Sequence, residues 1–243
     1  MRKALYIGLA IILVVVTIIG IVRVIDYLSP DGIEINKSKY PVTGIDISKH
    51  NGIVNFRQIK EQKIDFVYMK ATEGGDYVDN RFNGNYKKAF LNGLPIGIYH
   101  FFRFNVSGKI QANNFYNAIQ GKNTDLPFVV DVEEWGNSGN HDKENVIREI
   151  RSFINEVENL TNKRVMIYTN ENGFRKYIQG NFEKNELWIC SFNSEPKIGS
   201  RWDFWQHSHK GKMKGITGLV DINTFNGSRA EWDAYLKELN RDD

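Results

Sequence analysis

The stretch FVVDVE, residues 128–133, decides how this chain is read. Phe128, Val129 and Val130 form an apolar run of the kind found in the core strand of an α/β barrel. The run ends on Asp131 and Glu133, two carboxylates in alternate positions. On a strand, alternate side chains share one side, so the two Cα atoms lie about 6.6 Å apart. Carboxyls that close must interact, and the pKa of one must rise. In α/β barrels the C-terminal ends of the strands build the active site. This strand therefore predicts both a barrel and the position of its chemistry.

Seven further β-rich runs lie around it, at 44–48, 65–71, 96–101, 164–169, 187–191, 203–207 and 219–223. With 128–133 they make eight, the number that closes a parallel barrel. Helical patterns separate the earlier runs. The clearest places Val146, Ile147, Ile150, Phe153, Ile154, Val157 and Leu160 on one face, with Asn140 or Asp142 as cap. Shorter helices are expected at 55–62, 86–92, 110–119 and 171–178. The last three strands begin only about 16 residues apart, too close for full βαβ crossovers. The expected fold is α/β: an irregular TIM-like barrel of five βα units followed by three strands. Its last third should lack regular helices and admit antiparallel pairing.

The acidic residues recur at strand ends. Asp46 lies in the first strand, Glu73 just after the second, Asp131 and Glu133 at the end of the fourth, and Asp221 in the eighth. Bringing these together costs folding energy through repulsion and desolvation, which argues for a function. A neutral carboxylic acid beside an ionised partner is the arrangement that cleaves glycosidic bonds. One group protonates the leaving oxygen and the other supports the oxocarbenium ion. Side-chain rotamers move the carboxyls by several ångströms, so the spacing accommodates either retention or inversion. Tyr99, Tyr168 and Trp205 sit in strands that feed the same end, where aromatic faces stack on sugar C–H surfaces. Gln206 and Asn170 are candidate polar contacts.

Other chemistries find little support. There is no HExxH, GxSxG, GxGxxG or P-loop. One cysteine excludes a disulfide framework and a multi-cysteine zinc site, and Cys190 sits in an apolar strand. His207 and His209 lack a third metal ligand nearby. A net charge of +3 over 243 residues gives no case for nucleic acid. No cofactor is implied, because acid catalysis needs none. The basic loop 209–214 reads as a solvated turn.

The mean hydropathy is negative, yet the first tenth of the chain is strongly apolar. From Ala4 to Val22 roughly 19 residues run without a charge, about 28 Å as a helix, close to the thickness of bilayer hydrocarbon. This is longer than the core of a cleaved signal peptide. Arg2 and Lys3 place the N-terminus in the cytoplasm and the remainder outside. The expected organisation is a cytoplasmic stub at 1–3, a transmembrane signal-anchor at 4–25, a linker at 26–40 and a catalytic domain at 41–243.

Six ordered motifs resemble glycoside hydrolase family 25, the lysozymes or N-acetylmuramidases. They are GIDISKHNG at 44–52, FVYMKATEGGDYVD at 66–79, GIYHFFR at 97–103, FVVDVEEW at 128–135, FWQHS at 204–208 and GLVDIN at 218–223. The resemblance implies hydrolysis of the β-1,4 bond between N-acetylmuramic acid and N-acetylglucosamine in peptidoglycan. It implies Glu133 as general acid/base. Asp131 would orient the N-acetyl group or attack directly, and Asp46 and Asp221 would shape the pocket. Glu73, Tyr99, Tyr168, Trp205 and Gln206 would contact substrate. With the anchor, the expectation is a membrane-held muramidase that remodels the wall. The competing expectation is an inactive barrel that binds peptidoglycan or scaffolds a complex.

Overall fold

The computed structural model describes residues 11, 13–18, 20 and 32–239. By internal contacts the chain divides between Asp31 and Gly32. In the first unit, residues 11, 13–18 and 20 are helical and exposed. Among the described residues no helix is long and apolar enough to cross a membrane. The stub expected at 1–3 and most of the span expected at 4–25 lie outside the described residues.

The second unit is an eight-stranded barrel. Its strands are β1 (Thr43–Ile47), β2 (Phe66–Glu73), β4 (Ile96–Phe101), β5 (Phe128–Asp131), β6 (Val165–Asn170), β7 (Leu187–Cys190), β8 (Phe204–Gly211) and β9 (Val220–Phe225), and the short β3 (Tyr77–Val78) hairpins onto β2. Hydrogen bonding runs β1-β9-β8-β7-β6-β5-β4-β2, and β1 pairs with β2 to close the ring. The pairs from β1–β2 through β7–β8 are parallel, while β9 runs antiparallel to both β8 and β1. The crowded last strands are thus resolved by reversing one of them.

Helices cover the outer face. Phe56–Glu61, Phe82–Leu91, Gly108–Ile119 and Lys143–Thr161 follow β1 to β5, and Asp142 caps the last of these through Asn145 N at 2.7 Å. The segment after β6 is a short helix, Glu171–Gly173, running into a π-turn, Phe174–Ile178. Gly108 allows its helix to touch the next one. A Cβ there would stand 2.0 Å from the Glu149 carbonyl oxygen and 2.8 Å from Phe153 N. Gly108→Ala, although favourable for an isolated helix, is expected to lower stability by about 2 kcal/mol because backbone must move apart. Urea unfolding checks this, and a variant as stable as the parent would refute it.

The expected absence of regular helix in the last third is corrected at its end. Arg229–Leu239 is helical, and Trp232 packs on Phe66, Phe204 and Phe225 with ring centroids 5.2–6.2 Å apart. This helix makes no crossover, so crossover arithmetic did not see it. It covers the apolar lower end of the lumen. A capping box announces it: Glu231 accepts from Ser228 N and Oγ, both at 2.7 Å, and Ser228 Oγ accepts from Glu231 N.

Residues 32–40, inside the span read as a linker, lie against the barrel. Gly32 bridges to Ser208, and Ile33 N donates to the His207 carbonyl at 3.1 Å. Ile35 and Tyr40 are buried, and the Tyr40 ring meets Trp202 and Trp205. Burial pushes His207 down to about 4, so the ring is neutral and its Nδ1 donates to the Ile33 carbonyl at 3.2 Å.

Candidate active site

Strand alternation divides the barrel into an outer and an inner set. Ile45, Val67, Ile98, Val130, Ile167 and Ile189 face the helices. Phe66, Tyr68, Val129, Met166, Trp188, Phe204 and Phe225 fill the lower lumen as a separate cluster. The glycines of β1 and β4 make room for it. A Cβ on Gly44 or Gly97 would fall inside the ring of Phe66 or Tyr68, at 2.2 and 2.0 Å. One step further along the strands the lumen becomes polar. Asp46, Lys70, Tyr99, Asp131, Glu133, Tyr168, Cys190, Gln206 and Asp221 line an open cleft of about 770 Å³ at the C-terminal ends of the parallel strands.

Asp131 is the last residue of β5, and Glu133 follows just beyond it. Asp131 Oδ1 is buried without a hydrogen-bond partner. Burial, then the Glu133 charge, pushes Asp131 well above the usual carboxylate range, and Lys70 pulls the other way. Burial, then the Asp46 charge, pushes Glu133 up to about 7, again opposed by Lys70. Both shifts run upward, so the pair holds protons more tightly than isolated carboxyls do.

Across the cleft, Asp46 and Asp221 are directly opposed in the β1–β9 pairing. Asp46 Oδ2 accepts from Gln206 Nε2 at 2.8 Å and Asn223 Nδ2 at 2.9 Å. Both amides are oriented by donors behind them. Tyr168 Oη donates to Gln206 Oε1 at 2.7 Å, and Trp188 Nε1 donates to Asn223 Oδ1 at 3.0 Å. Each amide then has only its NH₂ to offer Asp46. Burial pushes Asp46 above the ordinary carboxylate range, and the hydrogen bonds from Asn223, Gln206 and Asp221 oppose that rise by favouring its charged form. Two facing carboxylates would repel, and Asp221 avoids this by keeping its proton. Burial, then the Asp46 and Glu133 charges, pushes Asp221 up to about 9.

Glu73 lines the cleft with both oxygens engaged. Lys70 Nζ donates to Oε2 at 2.6 Å and Arg103 Nε to Oε1 at 2.9 Å. The same cations flank the Phe101 ring, Lys70 Nζ at 4.7 Å and Arg103 Cζ at 5.0 Å from its centroid. Glu73 thus faces the cleft with its carboxylate occupied by two cations that line the same wall. Strand alternation alone would turn it away from the cleft. A bulge between Lys70 and Thr72 turns Thr72 outward onto His100 Nδ1 at 2.7 Å and brings Glu73 in.

Seven of the eight remaining expectations meet here: Asp46, Asp131, Glu133, Asp221, Tyr99, Tyr168 and Gln206 all line the cleft. Trp205 does not, which corrects its reading as a sugar contact. It is 1% exposed, belongs to the outer cluster and donates its Nε1 to the Ser191 carbonyl at 2.7 Å. Its neighbour Gln206 faces in, and alternation sends Trp205 out. Asn170 instead caps the next helix through Gly173 N at 2.8 Å. Lys70, Arg103 and Trp135 were not singled out, although all three stand inside the quoted motifs.

The family model for glycosyl hydrolases family 25 matches residues 45–216. Lysozyme M1 of Streptomyces globisporus is 36% identical over 204 residues, 78% of this chain and 69% of that protein. A family 25 glycosyl hydrolase from Bacillus anthracis superposes with a TM-score of 0.77 at 28% identity, over 85% of this chain and 98% of the other. The bacterial lysozyme from Streptomyces coelicolor gives 0.73 at 31% identity, over 82% and 98%. On the family match over 45–216 and these likenesses, the chain belongs to glycosyl hydrolases family 25 and is a glycoside hydrolase.

Proposed function

We propose that this protein is a peptidoglycan muramidase, cleaving the β-1,4 bond between N-acetylmuramic acid and N-acetylglucosamine. The observation that carries the reading is the buried Asp131–Glu133 pair on the cleft, with Glu133 at about 7. Glu133 protonates the leaving oxygen and then activates water. Asp131 supports the developing positive charge, through the substrate's N-acetyl group or by direct attack. The Asp46–Asp221 pair shapes the field around them, and Tyr99, Tyr168 and Gln206 contact the sugar. The relatives named lysozymes support the substrate class.

We propose further that the apolar segment 4–22 anchors the chain in the cell membrane with the barrel on the wall side, where it remodels nearby glycan. The test uses purified peptidoglycan and either the full chain in detergent or residues 32–243, a start that keeps the contacts of Ile33 and Ile35. New reducing ends carried by N-acetylmuramic acid are expected, identified by mass spectrometry. Binding without new reducing ends, from a folded protein, would sink the enzymatic reading in favour of a binding module.

The pH profile tests the acid. A general acid works while protonated, so kcat/KM should fall as pH rises through about 7, where Glu133 ionises. Rates that stay flat to pH 9 would reject Glu133 in that role.

A further inference from the structure

Of the chain's five tryptophans, Trp188, Trp202, Trp205 and Trp232 are 1–6% exposed, whereas Trp135 is 78% exposed. The turn that carries it is held on every side. Glu134 accepts from Lys176 Nζ and from Tyr177 Oη. The Asn137 amide donates to the Phe102 and Glu133 carbonyls at 2.9 and 2.7 Å and accepts from Phe104 N at 2.9 Å. Arg103 donates to the Gly136 carbonyl. Gly136 has φ +78°, which disfavours any other residue, and a Cβ there would stand 3.2 Å from Arg103 Nη1 and Phe101 Cζ. The indole stands edge-to-face with Phe101, at 6.3 Å and 84°, and most of its surface is open to solvent.

A large apolar ring fixed in water costs free energy that folding does not recover. Such a platform fits a ligand with a flat C–H surface. The surroundings continue that description. The catalytic cleft and a second pocket of about 320 Å³ share Glu73, Arg103 and Gly136 as a common wall. Asp76, Asn105, Ser138 and His141 give the second pocket hydrogen-bonding walls suited to hydroxyl and N-acetyl groups.

We propose that Trp135 and the pocket beside it form an outer sugar subsite, holding a ring of the glycan strand beyond the bond being cut. The subsite rests on the reading of the substrate as a β-linked amino-sugar strand, and it makes turnover depend on strand length.

The test uses the full chain carrying Glu133→Gln, which holds ligand without cutting it. Peptide-free N-acetylglucosamine oligomers of increasing length are titrated while tryptophan fluorescence is followed. Trp135 is the exposed reporter, so its emission should shift, and affinity should rise with oligomer length. Adding Trp135→Ala should abolish the shift and weaken the long oligomers about tenfold by calorimetry. Trp135→Phe should restore most of the affinity, and Asn105→Ala should weaken long oligomers more than short ones. Equal affinity with and without Trp135, or a response to stem peptide but not to oligomers, would overturn the subsite. Failure of the parent to cut peptidoglycan would overturn the proposed function instead, because this binding is measured without turnover.

Discussion

Glu133→Gln is expected to lower kcat on peptidoglycan by about 10²–10⁴-fold with KM little changed. Glutamine matches glutamate in shape, but its amide has no proton to give the leaving oxygen. Ground-state contacts survive, so the loss should appear in kcat. The variant also removes one charge that raises Asp131, so Asp131 should titrate lower than in the parent. An aryl β-glycoside whose leaving group departs without a proton should be spared much of the loss. Steady-state kinetics on both substrates, with melting curves to confirm the fold, check the prediction. A rate on peptidoglycan within about threefold of the parent would reject Glu133 as the acid.

Asp221→Asn is expected to stabilise the protein, increasingly so as pH rises. Asp221 titrates at about 9 in the folded chain against 3.8 for its ordinary value. A raised carboxyl pKa means that the folded state binds the proton more tightly than the unfolded state. Its contribution is fully present below pH 3.8 and is lost as pH rises from there through 9. Each pH unit across that window is worth about 1.4 kcal/mol, and solvent at the cleft mouth reduces the sum to about 2–4 kcal/mol at pH 7. Asparagine escapes this loss and still offers an N–H to Asp46. The melting temperature should therefore exceed that of the parent by roughly 5–15 °C at pH 7 and by almost nothing at pH 4. Activity should fall, since the pair no longer titrates as the parent's does. A gain that does not vary with pH would refute the linkage.

Eight strands were legible because each barrel strand is a short apolar run between turn residues, and the acids stood out against that background. What was hidden followed from one circumstance: both faces of these strands are covered. Apolar residues then occur on either side, and hydrophobicity cannot say whether Trp205 or Gln206 faces the lumen. The bulge after Lys70 adds a second blind spot, because it changes the parity of the strand and decides that Glu73 turns inward. Arg103 and Trp135 act from loops, where no period applies. Their signal was proximity to strand ends, shared with many residues that do nothing there. The helix Arg229–Leu239 was readable from its Ser228–Glu231 box, but crossover counting drew attention away from a helix that connects no strands.

The contact of residues 32–40 with β8 has a mechanical side. Tension applied from the N-terminal side would meet the single bridge at Gly32–Ser208 first, then Ile33, then Ile35, and only at the end the Tyr40 ring. Contacts loaded one after another give way at low force, like a zipper, while the barrel behind them stays intact. Fully released, this stretch would pay out up to about 30 Å of chain at roughly 3.3–3.6 Å per residue. With the proposed anchor holding the other end, it would act as a stored length of leash and add to the distance the cleft can travel.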